Sequence, residues 1–156
     1  MTTGRGGYTL QPGEGKIVEM RGLQVSYKAA GARTPAGPTF LEFKTPPGFN
    51  TGAHIHRTIE ELFYVVSGEF ELRVGDRTFR AGPGTFAAVP PGTAHGFGNP
   101  GTALATLLIT ISPAGVHERY FEELADILVR PGPPDTAAIA ELRKRYDTEQ
   151  LASLTT

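Results

Sequence analysis

GFNTGAHIHRTIEELFYVVSGEFELRVGDRTFR, residues 48–80, carries the strand pattern from which the fold class follows. Its clearest strand is 69–74. Phe70, Leu72 and Val74 fall on one face there, and Glu69, Glu71 and Arg73 on the other, the period-two alternation of a half-buried strand. Gly75-Asp76 supplies a two-residue hairpin turn, since its backbone suits Gly and Asp, and 77–80 is the returning strand. Working outward, the same short apolar alternations recur at 16–20, 23–29, 39–44, 53–56, 62–66, 85–89, 95–98 and 103–111. Gly and Pro cut them apart; with 20 Gly and 13 Pro in 156 residues, this is the punctuation of an all-β sandwich or barrel, not of a helical bundle.

The pattern changes after Ile111. Ser112 reads as a helix N-cap and Pro113 as the first helical residue. Val116, Tyr120, Leu124 and Leu128 follow at helical spacing, with Phe121 and Ile127 beside them, and Pro131-Gly132-Pro133-Pro134 ends the run. A second helix is expected from Asp135 or Thr136, turning Ile139, Leu142 and Tyr146 inward. Helices this short are unstable alone, so they pack on the β body or on a partner subunit. The expected organisation is a flexible N-terminus at 1–7, a β domain over 8–112 and a helical extension over 113–156.

Composition excludes several function classes. Cysteine is absent, which removes disulfide scaffolds, thiolate metal sites and thiol chemistry. A net charge of −1 and a pI near 6.4 argue against a nucleic-acid-binding surface. No run reaches the ~18 apolar residues of a membrane helix, and the first residues lack the apolar core of a signal peptide. The expectation is a cytoplasmic protein with no nucleic-acid or membrane partner.

Three of the four histidines, His54, His56 and His95, lie in the strand region. His54 and His56 are two apart, so in a strand they share a face with Cα atoms about 6.5–7 Å apart, close enough to converge on one ion. Glu61 heads the apolar run Leu62-Phe63-Tyr64-Val65-Val66. A carboxylate turned inward there needs a partner, and a metal supplies one. Phe63 and Val65 share strand parity with Glu61, and Phe97 with His95; they are candidate substrate-pocket residues. Glu60, on the opposite parity, reads as solvated. His117 reads as a surface or interface histidine, and Arg143-Lys144-Arg145 as a solvated helix face. Tyr27, Phe40 and Phe43 are candidates for lining the mouth of the β body.

These residues resemble the cupins. The first cupin motif, G-x5-H-x-H-x4-E-x6-G, is met by Gly48, His54, His56, Glu61 and Gly68. The second, G-x5-P-x-G-x2-H-x3-N, is met by Gly84, Pro90, Gly92, His95 and Asn99. The resemblance implies an antiparallel cupin β-barrel, or jelly roll, here followed by two C-terminal α-helices. It implies one divalent transition metal (Fe, Mn, Ni, Co, Cu or Zn) held by His54, His56, Glu61 and His95, a nitrogen-rich set suited to borderline ions. The chain looks most like small single-domain bacterial cupins grouped with quercetin 2,3-dioxygenases, through this ligand set, the phrase Glu60-Glu61-Leu62-Phe63-Tyr64-Val65 and the Ser112-Pro113-Ala114-Gly115 exit. That likeness implies a dioxygenase acting with O2 on a flavonol-like or other enolic aromatic small molecule, with Glu61 as both ligand and catalytic base. A non-redox cyclase or isomerase of polyketide-like substrates is the alternative, and a ligand-binding cupin without turnover is a third reading. Small bacterial cupins commonly pair, so a homodimer is expected, joined through the N-terminal strands and the helix at 116–128.

Overall fold

The computed structural model describes residues 7–34, 36–115 and 117–151. The expectations for residues 1–6, for Val116 and for the end of the helical extension at 152–156 lie outside the described residues. Among the described residues, eleven strands and two α-helices follow in chain order. The strands are β1 (Lys16–Met20), β2 (Leu23–Ala29), β3 (Thr39–Thr45), β4 (His54–Ile55), β5 (Glu60–Ser67), β6 (Phe70–Val74), β7 (Arg77–Ala81), β8 (Phe86–Val89), β9 (His95–Gly98), β10 (Ala105–Ser112) and β11 (Glu149–Gln150); the helices are α1 (Tyr120–Leu128) and α2 (Thr136–Arg145).

Every pairing is antiparallel. One sheet runs β1-β2-β3-β10-β5-β8 and the other β11-β4-β9-β6-β7. They form a jelly roll of two facing sheets; hydrogen bonding among the described strands does not close into one ring. Alternation decides which side chains enter. In β3 and β10 every second residue is buried, so Leu41 and Phe43 join Leu107, Ile109 and Ile111 inside. Each such side chain gains about 1.5–3 kcal/mol by leaving water. Phe97 of β9 ties the sheets together, packing edge-on against Phe43 of β3 at 5.7 Å and Phe63 of β5 at 5.8 Å. The hairpin after β6 turns through Gly75 at a positive φ of 62°, with Val74 opposite Arg77.

The first helix departs from the sequence expectation. Ser112 is not an N-cap: it is the last residue of β10 and pairs with Glu60. The ladder with β5 competes for the backbone there and wins, and α1 starts only at Tyr120. Phe121 then plugs the end of the core, 5.3 Å from Phe43, and Lys16 pairs with Glu122 at 2.6 Å. The second helix starts as expected, with the Asp135 carboxylate accepting from the Ala138 N–H at 2.9 Å. Ile139 and Leu142 are buried, whereas Tyr146 sits half-buried at the C-cap. Lys144 and Arg145 are solvent-facing and ion-paired to Glu141 and Glu123, but Arg143 is half-buried rather than solvated, because it lies beside Leu142 on the docked side. The chain after α2 returns to the β body as β11, an edge strand against β4 that the sequence did not announce.

Candidate metal centre

β4, β5 and β9 bring His54, His56, Glu61 and His95 together. His54 and His95 are register partners across β4 and β9. His56 follows β4 on the same face, its ring centroid 5.1 Å from each of the other two, while those two are 4.3 Å apart. Glu61 is inward in β5 because its ladder places it opposite Ile111 and Val89, both core residues. All four side chains are buried, and one ligand atom from each lies within 4.8 Å of the rest.

The hydrogen bonds assign the ring nitrogens. His54 Nδ1 meets the Gly52 carbonyl at 3.0 Å, His56 Nδ1 the Asp147 carbonyl at 2.7 Å and His95 Nδ1 the Thr93 carbonyl at 2.8 Å. A carbonyl only accepts, so each Nδ1 is the protonated, donating nitrogen. Each Nε2 is thereby turned to the interior, where Glu61 accepts a hydrogen bond from His95 Nε2 at 3.1 Å and lies 3.6 Å from His56 Nε2. Three imidazole Nε2 atoms and a carboxylate facing one another fit a divalent transition metal, which would take the place of the protons that join His56 and His95 to Glu61 without it, with outer partners already orienting the rings.

The electrostatics agree with that donor set. Burial opposes charge on His54, and with His95 close by its pKa drops to about 3. Burial pulls His56 down as well, but the Glu61 carboxylate outweighs it and raises the net value. Burial alone would lift Glu61; hydrogen bonds from His56 and His95 overcome it and hold the carboxyl well below its usual range. Glu61 is therefore ionised at neutral pH.

The other candidates fall as follows. Phe63 is buried 6.1 Å from the His95 ring, and Phe97 is buried against Phe63. Val65 is fully buried one alternation further along β5. Glu60 is exposed. Tyr27 and Phe43 belong to the core, and Phe40 is half-buried on the opposite parity from Leu41. His117 is a correction: it is 3 % exposed, not a surface residue, because the return of the chain after α2 encloses it. Its ring lies 5.0 Å from His56 and 5.1 Å from Tyr120. Thr148 Oγ1 stands between it and the cluster, 3.4 Å from His117 Nε2 and 3.4 Å from His56 Nδ1. No local motif marks Asp147 or Thr148, whose contacts to His56 span 91 and 92 residues of sequence. Two surface clefts of about 500 and 320 Å³ lie elsewhere, beside the β1–β2 turn and beside α1.

Residues 41–111 match a family described as a cupin domain. No curated protein matches the chain. Among solved structures, an RmlC-like cupin from Shewanella frigidimarina is 24 % identical with a TM-score of 0.58, covering 67 % of this chain and 89 % of that one. A protein described as a predicted oxalate decarboxylase from Thermotoga maritima is 22 % identical with a TM-score of 0.54, covering 62 % and 89 %. A sugar phosphate isomerase from the cupin superfamily of Silicibacter pomeroyi is 25 % identical with a TM-score of 0.52, covering 59 % and 60 %.

Proposed function

Residues 41–111 of this chain are a cupin domain, and from that premise we propose that the protein is a metal-dependent enzyme acting on a small enolic substrate, with His54, His56, Glu61 and His95 as the metal ligands. The observation that carries the proposal is the shared ring orientation: three Nδ1–H groups on carbonyls and three Nε2 atoms turned toward one ionised carboxylate. A divalent transition metal bound there supplies Lewis acidity toward a substrate oxygen and, for a redox-active ion, access to O2. Glu61 is the catalytic base. Its carboxylate is ionised and sits among the ligands, so it accepts the hydroxyl or α-carbon proton of a substrate brought to the centre. The protonated nitrogens of the histidines stay on their carbonyls and hold the rings still. Phe63 and Phe97 wall the interior beside His95, exclude water and favour a flat apolar substrate.

The finer reading is a dioxygenase of flavonol-like or other enolic aromatic compounds. It predicts O2 consumption with flavonols by protein loaded with Fe, Mn, Co or Ni, and loss of most turnover in Glu61→Gln with the fold retained. An absence of O2 uptake across that panel would leave the non-redox reading, an isomerase or cyclase using the same base. The 25 % identity to the Silicibacter pomeroyi isomerase favours that second reading. His54→Ala, His56→Ala and His95→Ala should each lose metal by elemental analysis while keeping a β-type circular dichroism spectrum. Stoichiometric metal in these variants would refute the ligand assignment itself. The protein is also proposed to act as a homodimer.

A further inference from the structure

Asp147 stands just past α2 and takes a positive φ of 51°, a conformation that non-glycine residues rarely adopt and that Asp tolerates better than most. Its carboxylate accepts from the Arg57 N–H at 3.0 Å, the Thr58 N–H at 2.8 Å and the Thr58 hydroxyl at 2.7 Å. Its carbonyl accepts from His56 Nδ1 at 2.7 Å. One residue therefore holds the turn at 56–58 through its side chain and the preceding imidazole through its backbone. The chain beyond it is anchored as well. Glu149 and Gln150 pair with Ile55 and His54, Arg57 pairs with Glu149, and the Leu151 N–H donates to the Ala53 carbonyl at 2.8 Å. Gly52 and Thr93, which orient His54 and His95, are each two residues from the histidine they serve. The partner of His56 comes from 91 residues away, and it lies outside the matched cupin region at 41–111.

We propose that Asp147 is a positioning residue for the metal centre: its left-handed backbone, locked by the carboxylate on Arg57 and Thr58, aims the carbonyl that selects the Nε2-ligating tautomer of His56. The inference rests on the metal-centre reading above. Loss of the carboxylate lets residue 147 relax to negative φ and turns the carbonyl away, so His56 loses its fixed tautomer and orientation.

The test uses the full chain with Co²⁺ as the probe, read by chelator competition and by the d–d absorption bands. Asp147→Ala should weaken Co²⁺ binding by roughly 10- to 100-fold, as is usual for loss of a residue that orients a ligand, and should shift the bands. Asp147→Asn, which tolerates the same backbone and keeps one accepting oxygen, should restore most of the affinity and the wild-type bands. Wild-type affinity and bands in a folded Asp147→Ala protein would overturn the proposal. If that variant does not fold, Thr58→Ala decides, since it removes one of three bonds to the carboxylate from an exposed position. It should weaken Co²⁺ binding, by less than Asp147→Ala does, and unchanged binding there overturns the proposal too. His54→Ala separates the two levels: if it also binds Co²⁺ normally, the metal-centre reading fails, whereas loss of Co²⁺ in His54→Ala with none in the Asp147 and Thr58 variants refutes only the role of Asp147.

Discussion

His117 differs from the three clustered histidines by one unmade bond: its Nδ1 is buried with no hydrogen-bond partner among the described residues. Burial, with His56 beside it, lowers its pKa to about 4, and His54 is lowered to about 3. Both are neutral in the fold and titrate near 6.5 once unfolded. Their contribution to stability is therefore complete above pH 6.5 and is lost as the pH falls toward 4, because the unfolded chain takes up protons that the fold refuses. His56, shifted upward, works in the opposite sense and adds stability below its unfolded value. In metal-free protein the two lowered histidines dominate, at about 1.4 kcal/mol per pH unit for each group. Thermal melting from pH 7 to 4.5 should show this decline, and His117→Leu should flatten it visibly. An unchanged slope in His117→Leu would assign the acid sensitivity elsewhere.

At the scale of elements, Gly68, which closes the first motif, and Gly84, which opens the second, are not equivalent. Gly68 opens the β5–β6 turn at φ 78°, and a Cβ added there would lie 2.5 Å from the Ala105 Cβ and 2.8 Å from its Cα, at the head of β10. Gly84 has φ 87° but opens onto free space. Gly84→Ala should cost only the left-handed conformation, about 1–2 kcal/mol. Gly68→Ala adds a backbone collision worth about 1–3 kcal/mol more, and urea unfolding should rank the two accordingly. Equal losses would mean that β10 yields freely at Ala105. Asn99, the last residue of the second motif, is an element joint of the same kind. Its amide donates to the Thr45 and Ala103 carbonyls at 2.9 and 2.8 Å, and its carbonyl oxygen accepts from Gly101. It thus closes the β9–β10 loop onto the end of β3.

Across the whole molecule, the cluster holds an ionised carboxylate in an apolar interior, and a bound cation is tied to the folded state alone. Metal at about 100 times its Kd should add about 2.7 kcal/mol to stability, which for a chain of this size raises Tm by roughly 5–10 °C. A chelator should reverse the shift, and His95→Ala should abolish it. No helix among the described residues is long and apolar enough to cross a membrane. The outer face of the six-stranded sheet leaves Tyr64, Val66 and Phe86 substantially exposed, while α1 spends Tyr120 and Phe121 within its own chain. For the proposed homodimer, light scattering should return twice 16.7 kDa; a mass of 16.7 kDa would refute it.

What the sequence by itself determined is local or periodic. Alternation at 69–74 and the Gly75-Asp76 turn specify the β6–β7 hairpin, because a side-chain period of two and a tight turn are written in neighbouring residues. The H-x-H spacing and the parity of Glu61 with Phe63 likewise put His54, His56 and Glu61 on inward faces before any contact is known. The tertiary structure alone decided the rest. Ser112 reads as a helix cap until the ladder to Glu60 claims it. His117 reads as a surface residue until the return after α2 buries it. The hold of Asp147 on His56 joins residues 91 apart. Such partners are chosen by packing between distant segments, and nothing in either segment's own composition, period or turn chemistry names the other.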